Sequence, residues 1–161
     1  MRRKKAKLAS LLAYIDHSAM DEVPFYWNIL SVSGKGNPRQ AFEQQLRQLK
    51  QRQRGNCLYH EILSLKKTLP VKQLKNILYY LLIRYLQERA PQLVGYARLH
   101  EEPHHLHLHL VLSANPIGKA RPLRLSKERF REIKRELEQE LQLLFPELEK
   151  TEPDNTFEIE R

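Results

Sequence analysis

Cysteine and long apolar segments are nearly or wholly missing from this sequence. Cys57 is the single cysteine, which excludes an internal disulfide and a zinc site made of cysteines. No apolar run reaches the roughly 20 residues that a membrane-spanning helix needs. The basic start of the chain leads into a segment that contains Tyr14 and Asp16, unlike the apolar core of a signal peptide. We therefore expect a cytoplasmic protein without membrane insertion.

Negative charge is also scarce, because 19 acidic residues stand against 28 lysines and arginines and the net charge is +9. Such an excess predicts attraction to a polyanion, either nucleic acid or an acidic membrane surface. The 161 residues suit a single domain. We expect its core at about residues 8–145, with a basic arm at 1–7 and a loose polar tail at 147–161.

An alternation of leucine and histidine is the strongest pattern in the chain. Residues 104–115 read HHLHLHLVLSAN, with His105, His107 and His109 between the leucines. Successive side chains of a β-strand point to opposite faces, so the pattern predicts a strand with a buried leucine face and a histidine face. Such a strand can be an ordinary exposed strand, but imidazoles at this spacing can also share one metal ion.

The segment before this strand has a histidine at a matching position. Residues 93–100 also predict a strand, and the proline-containing link at 101–104 is short enough for a hairpin. In that hairpin, His100 shares a face with His107 and His109. Three imidazoles leave coordination positions open, as in catalytic metal sites. Their nitrogens suit Mn²⁺, Zn²⁺, Co²⁺ or Ni²⁺ better than Mg²⁺.

Hydrophobic periodicity and turn residues predict the remaining elements. The predicted helices cover residues 7–18, 38–53, 70–90 and 126–146, and the other strands cover 23–32, 56–65 and 123–125. This order predicts an α+β fold, with a mostly antiparallel central sheet and helices packed on one face. The histidine face would stay open to a ligand, with the first helix as a partial roof.

Tyr14 lies beside the apolar stripe of the first predicted helix. Leu8, Leu11, Leu12 and Ile15 form that stripe, and Tyr14 is about 120° away from it. A tyrosine in this position usually packs its ring at the edge of the core and keeps its hydroxyl in water. It can also reach across to a neighbouring surface.

Several of these features occur in the same order in relaxases of the conjugative or mobilization type, which belong to the HUH endonucleases. His107-Leu108-His109 resembles their His-hydrophobic-His motif, and His105-Leu106-His107 is an alternative frame. The Tyr14-Ile15 pair, the strand with Tyr59-His60 and Ser64, and Asn115 after the histidine strand also match. The resemblance covers about residues 8–145. Tyr14 precedes the histidine pair, as in relaxases, whereas rolling-circle initiators place the tyrosine after it.

The resemblance implies that Tyr14 attacks single-stranded DNA at a transfer origin, forms a 5′-phosphotyrosine and later religates the strand without ATP. It implies one divalent ion, Mg²⁺ or Mn²⁺, held by His100, His107 and His109, and relaxosome accessory proteins as candidate partners. The phenol proton must leave during attack. The candidate acceptors are Asp16, His60, Glu101 and Glu102. The candidate DNA contacts are Lys35, Lys66, Lys67, Arg98, Lys119 and Arg121.

Two other functions are compatible with the same residues. A catalytically inactive module of this fold would keep its basic surface and would still bind single-stranded DNA. A metal-dependent phosphodiesterase that uses water would cleave without Tyr14 and would leave no covalent adduct. Assays of binding, cleavage and adduct formation distinguish these two functions from a relaxase.

Overall fold

The computed structural model describes residues 8–29, 36–49, 58–148 and 157–160. These residues form an α+β fold with one antiparallel sheet. The helices are α1 (Leu8–His17), α2 (Pro38–Gln48), α3 (Val71–Arg89) and α4 (Lys127–Leu144), followed by a 3₁₀ turn at Pro146–Leu148. The strands are β1 (Phe25–Trp27), β2 (Leu58–Lys66), β3 (Gly95–Glu101), β4 (His105–Ser113) and β5 (Phe157–Glu160). No helix in these segments has the length and apolarity to cross a bilayer.

The five strands lie in the order β1-β3-β4-β2-β5, and all neighbouring strands run antiparallel. The predicted histidine hairpin is confirmed as β3 and β4, with His100 directly opposite His107. β2 pairs with β4 from Leu58 opposite Ser113 to Lys66 opposite His105. The long β2–β4 and β3–β4 ladders fix the register of the central strands, and so the face on which each side chain lies.

The leucine face of β4 packs against α3 and α4. Leu106, Leu108, Leu110 and Leu112 are all buried in one apolar cluster with residues of those two helices. Burying a leucine side chain contributes about 1.5–3 kcal/mol, so this row is a main source of stability. The predicted division of the strand into a leucine face and a histidine face is confirmed.

The prediction that the helices occupy one face of the sheet is wrong. α1 and α2 pack on the histidine face, where Leu12 and Phe42 join a second cluster with Val94, Tyr96 and Val111. Tyr96 and Val111 pair across β3 and β4 and face the same side as the histidines, and Val94 precedes β3. Their burial needs a cover, which α1 and α2 supply over one end of that face.

The starts of two helices agree with the capping residues in the sequence. The Asn37 side chain accepts a hydrogen bond from the N–H of Arg39, with Pro38 as the first helical residue. The Ser126 side chain accepts from the N–H of Arg129. Both bonds satisfy a donor that a helix N-terminus leaves without an intrahelical partner. Part of the predicted extension of α2, from 50 to 53, lies outside the described residues.

Three predicted segments differ from the structure. Of the strand predicted at 23–32, residues 30–32 lie outside the described residues, and among 23–29 the strand is Phe25–Trp27. It ends there because Asn28 has a φ of 55° and its side-chain amide donates to two backbone carbonyls instead of continuing the ladder. Residues 123–125 form no strand and follow Pro122, which cannot donate a ladder bond. In the tail predicted to be loose, Phe157–Glu160 is a strand, because Phe157 and Ile159 enter the core on the leucine face. The arm at 1–7 lies outside the described residues.

Candidate active site on the histidine face

Four imidazoles lie together on the histidine face. His100 projects from β3, His107 and His109 from β4, and His60 from β2. The ring centroids of His100 and His109 are 4.4 Å apart, and those of His60 and His109 are 5.4 Å apart. We call these four residues the histidine cluster. Two stretches of sequence separated by about 40 residues contribute to it, because β2 and β3 flank β4.

His100 is tied to the backbone of α1. Its Nε2 lies 2.6 Å from the carbonyl oxygen of Ile15. A carbonyl can only accept, so Nε2 carries the proton and neutral His100 has its lone pair on Nδ1. The bond fixes the imidazole tautomer and also holds the last turn of α1 against the sheet.

His109 is the most buried imidazole of the cluster, and its Nδ1 lies 3.1 Å from Nε2 of His60. Burial lowers the pKa of His109 most, the nearby His100, His60 and His107 lower it as well, and together they bring it to about 3. His109 is therefore neutral at physiological pH and keeps a ring nitrogen lone pair, which is the state that binds metals.

His107 has a buried ring nitrogen without a hydrogen bond. Its Nε2 makes no hydrogen bond to the described residues, and the nearest carboxylate oxygen, on the exposed Glu102, is 3.5 Å away. Buried polar atoms usually have hydrogen-bond partners. Because this nitrogen has none among the described residues, it is available to a ligand. Among residues 8–29, 36–49, 58–148 and 157–160, no three His, Cys, Asp or Glu side chains form a ready metal-binding group. The donors of His100, His107 and His109 nevertheless suit a divalent ion chemically.

Tyr14 stands on α1 beside this cluster. Its side chain is 61% exposed. Its ring lies edge-on to His109, with centroids 5.9 Å apart, and 6.4 Å from the ring of His100. The helix flank predicted from the sequence therefore brings an accessible phenol next to two of the predicted metal ligands.

Tyr96 is on the same face but in a different environment. It is 1% exposed, stacks on Phe42 and donates its hydroxyl proton to Asp16 at 2.7 Å. Burial and the bond to Asp16 raise the pKa of Tyr96 above the ordinary tyrosine value. This hydroxyl is both inaccessible and hard to ionise, so Tyr96 is a poor rival to Tyr14 as a nucleophile.

Asp16 and Arg98 hold the end of α1 to β3. Asp16 accepts hydrogen bonds from Tyr96, from Arg98 at 3.3 Å and from Arg39 of α2 at 3.3 Å. Arg98 also pairs with Asp21 at 3.0 Å. Arg98 is thus better explained as a structural residue than as the predicted DNA contact. Asp16, with three donors already bound, is a weak candidate for the proton acceptor.

The two glutamates predicted in the link between β3 and β4 lie in different environments. Glu101 forms an ion pair with Lys67 at 2.5 Å and has the parity of the leucine face. Lys67 also donates to the backbone oxygen of Glu102. The ion pair occupies both side chains. It therefore opposes the predicted role of Glu101 as proton acceptor and that of Lys67 as DNA contact. Glu102 is the exposed carboxylate near His107.

The other predicted basic contacts are spread over the surface. Lys66 lies opposite His105 at the open end of the histidine face, and the ring of His105 contacts that of His107. Lys119 and Arg121 are exposed in the loop after β4. Asn115 holds that loop by donating to the carbonyl of Ala120 at 2.7 Å. Lys35 lies outside the described residues.

The link between His60 and His109 was not predictable from the sequence. The parity of β2 puts His60 on the face opposite Leu63 and Leu65, but it does not say which histidine on that face His60 meets. The register of β2 against β4 decides it, by placing Ile62 opposite His109. Arg39 was missed for a similar reason, because its contact with Asp16 depends on how two helices meet.

The buried neutral state of His109 predicts a stability that depends on pH. In the unfolded chain histidine binds a proton below about pH 6.5, whereas folded His109 does so only near pH 3. Between these values the unfolded state binds more protons, so the free energy of unfolding falls as the pH falls. We expect a loss of up to about 1.4 kcal/mol per pH unit below pH 6.5. Urea unfolding at pH 7, 6 and 5 measures it.

His109→Gln is the control for this pH dependence, because glutamine cannot titrate. The difference in unfolding free energy between the wild type and His109→Gln should shrink as the pH falls. A difference that stays constant from pH 7 to pH 5 would show that His109 is not kept neutral by the fold.

Comparison with protein-family models, with curated proteins and with solved structures gives no match to this chain.

Proposed function

We propose that this protein is a relaxase-like nuclease that nicks and religates single-stranded DNA through Tyr14. The observation that carries the proposal is the exposed phenol of Tyr14 beside His100 and His109, with ring centroids 6.4 and 5.9 Å away. The sequence resemblance places the same tyrosine and histidines in these roles. The rival Tyr96 is buried and bonded to Asp16.

The proposed reaction exchanges one phosphodiester for another. The Tyr14 oxygen forms a bond to phosphorus, and the bond between phosphorus and the 3′ oxygen breaks. The phenol proton passes to an acceptor, and the departing 3′ oxygen gains a proton. Reversal by a free 3′-hydroxyl restores the strand, because the phosphotyrosine bond conserves the energy of the phosphodiester.

The histidine cluster supplies the electrostatic part of the site. His100, His107 and His109 would hold one divalent ion, Mg²⁺ or Mn²⁺ from the resemblance or Zn²⁺, Co²⁺ or Ni²⁺ from the preference of imidazole. When bound, such an ion supplies Lewis-acid stabilisation of charge on a phosphate oxygen. The bond from His100 to the Ile15 carbonyl keeps Tyr14, one residue away, close to the ligands.

A polyanion is the class of partner that the charge favours, and single-stranded DNA is the polyanion that the resemblance implies. The net charge of +9 attracts a polyanion, and Lys66, Lys119 and Arg121 are among the predicted contacts that face solvent at least in part. Phosphate contacts of this kind bind without regard to sequence. The transfer origin and the accessory proteins are what the resemblance implies. The cytoplasmic location is the expectation drawn from the sequence.

A covalent-adduct assay tests the proposal. The protein is incubated with a library of transfer-origin single strands and Mn²⁺, then analysed on a denaturing gel. We expect a protein–DNA band that depends on the metal and disappears with a chelator, together with a strand that ends in a 3′-hydroxyl. Cleavage without a covalent band would favour the hydrolase that uses water. Binding without cleavage would favour the inactive module.

A further inference from the structure

We infer that His60 is a positioning residue that fixes the tautomer and orientation of His109, and so determines which nitrogen of His109 is available to a ligand. The inference deepens the proposed function and rests on it for the identity of the ligand. It changes the role predicted for His60 from the sequence, which was that of a proton acceptor.

The contact between the two rings has the geometry of a hydrogen bond. Nε2 of His60 lies 3.1 Å from Nδ1 of His109, and the ring planes differ by 19°. An N–H of one nearly parallel ring can therefore point along the lone pair of the other. Since the contact joins two nitrogens, one of them must carry a proton and the other must not.

The backbone makes this contact a fixed feature of the sheet. β2 and β4 pair over nine residues, with His60 opposite Val111 and Ile62 opposite His109. His60 and His109 are thus diagonal neighbours on one face, a relation within reach of ring side chains. A shift of one residue in register would move His60 to the leucine face, so the ladder itself holds the donor and acceptor together.

The two central imidazoles of the cluster are oriented by different parts of the chain. His100 donates from Nε2 to the Ile15 carbonyl, so its tautomer depends on the backbone of α1. His109 depends on a side chain of β2. A His109 that binds a ligand needs a lone pair outside this contact, so the inference places the shared proton on Nδ1 of His109 and the lone pair on Nε2. An outer hydrogen bond of this kind commonly sets the tautomer of a metal-binding histidine.

His60 is consequently unsuited to accept the proton of Tyr14 through Nε2. That atom is already committed to His109, and the ring contacts of Tyr14 are with His100 and His109. Any effect of His60 on catalysis should therefore act through the state of His109. A glutamine at position 60 can keep a hydrogen bond to His109 but cannot accept a proton. It therefore distinguishes a positioning role of His60 from direct proton transfer.

Two substitutions separate these roles. The carbonyl of glutamine in His60→Gln can accept a hydrogen bond from Nδ1 of His109, whereas His60→Leu has similar bulk and no polar atom. We expect His60→Leu to weaken Mn²⁺ binding by about 10- to 100-fold, as loss of an outer hydrogen bond typically does. His60→Gln should stay within a few-fold of the wild type. Calorimetric titration with Mn²⁺ measures both.

Nitrogen NMR of the imidazoles tests the inference without any reaction. In the wild type and in His60→Gln, His109 should carry its proton on Nδ1, and His60→Leu should lose this preference. In the wild type we also expect a scalar coupling across the hydrogen bond between His60 Nε2 and His109 Nδ1. This coupling can be measured without any variant. A proton on Nε2 of wild-type His109, absence of that coupling, or unchanged Mn²⁺ affinity in a folded His60→Leu would each overturn the inference. Lack of a covalent adduct would instead refute the proposed function and leave the NMR result intact.

Discussion

Replacing Tyr14 by phenylalanine is expected to abolish the covalent protein–DNA adduct and leave the fold and DNA binding intact. The substitution removes the oxygen that attacks phosphorus and keeps the ring beside His100 and His109. Loss of a nucleophile lowers the rate of covalent catalysis by on the order of 10⁶-fold, which would put the adduct below detection. Because Tyr14 is 61% exposed, the free energy of unfolding should change by less than about 0.5 kcal/mol.

Tyr96→Phe is the matched control for this substitution. It also removes one phenolic oxygen from the histidine face, but that oxygen is buried and donates to Asp16 at 2.7 Å. We expect Tyr96→Phe to keep the adduct and to lose about 1 kcal/mol of stability, since one buried hydrogen bond is removed. The reverse pattern, with the adduct retained in Tyr14→Phe and lost in Tyr96→Phe, would contradict the assignment of the nucleophile.

The histidine hairpin could be predicted from the sequence because two local signals agree there. Strict alternation assigns each side chain of β4 to a face, and the short link at residues 102–104 leaves few registers for β3. His100 therefore meets His107 as expected. The position of Tyr14 was predictable to within a helix flank, but its distance to the cluster depends on how α1 crosses the sheet.

Features that depend on contacts between distant segments could not be predicted. The first helix was expected as a partial roof of the histidine face, but the placement of α2 beside it follows from the apolar Val94, Tyr96 and Val111, which needed a wider cover that periodicity could not identify. The strand β5 has only four residues, and alternation over so short a segment is ambiguous. The contact of His60 with His109 joins residues 49 positions apart and that of Asp16 with Tyr96 joins residues 80 positions apart, so no local pattern reveals them.

A buried ion pair on the leucine face was missed although a local signal for it existed. Leu63 and Leu65 of β2 face the core, so by parity Glu61 must face it too. Arg89 follows Tyr85 by four positions on α3 and shares its buried stripe. The positions of neighbouring apolar residues could thus have predicted that both Glu61 and Arg89 are buried. Their pairing across sheet and helix could then have been inferred, because buried charges are usually paired.

The structure places Glu61 and Arg89 in direct contact in the core. Both are at most 1% exposed, and Arg89 Nη2 lies 3.2 Å from Glu61 Oε1. Tyr85 donates its hydroxyl proton to Glu61 at 2.7 Å, and the guanidinium lies 5.0 Å from the centroid of the Tyr59 ring. Arg89 Nη1 has no hydrogen bond to the described residues. The guanidinium therefore depends on Glu61 for its charge compensation.

Glu61→Leu is expected to lower the free energy of unfolding by about 3–5 kcal/mol, because it leaves the guanidinium of Arg89 buried and uncompensated. Arginine cannot release its charge, so the penalty should persist at every accessible pH. Total stabilities of about 5–15 kcal/mol make this one of the largest effects of a single substitution in the chain. Urea unfolding of the wild type and the variant measures the difference.

The double variant Glu61→Leu/Arg89→Met shows whether the loss comes from the orphaned charge or from the changed shape of the core. Replacing both members of a buried pair by apolar residues of similar volume is often neutral or stabilising. We therefore expect the double variant to regain most of the stability that Glu61→Leu loses. Tyr85 loses the same acceptor in both variants, so its contribution cancels in the comparison. Equal destabilisation of the single and double variants would mean that packing around residue 61, rather than charge compensation of Arg89, sets the cost.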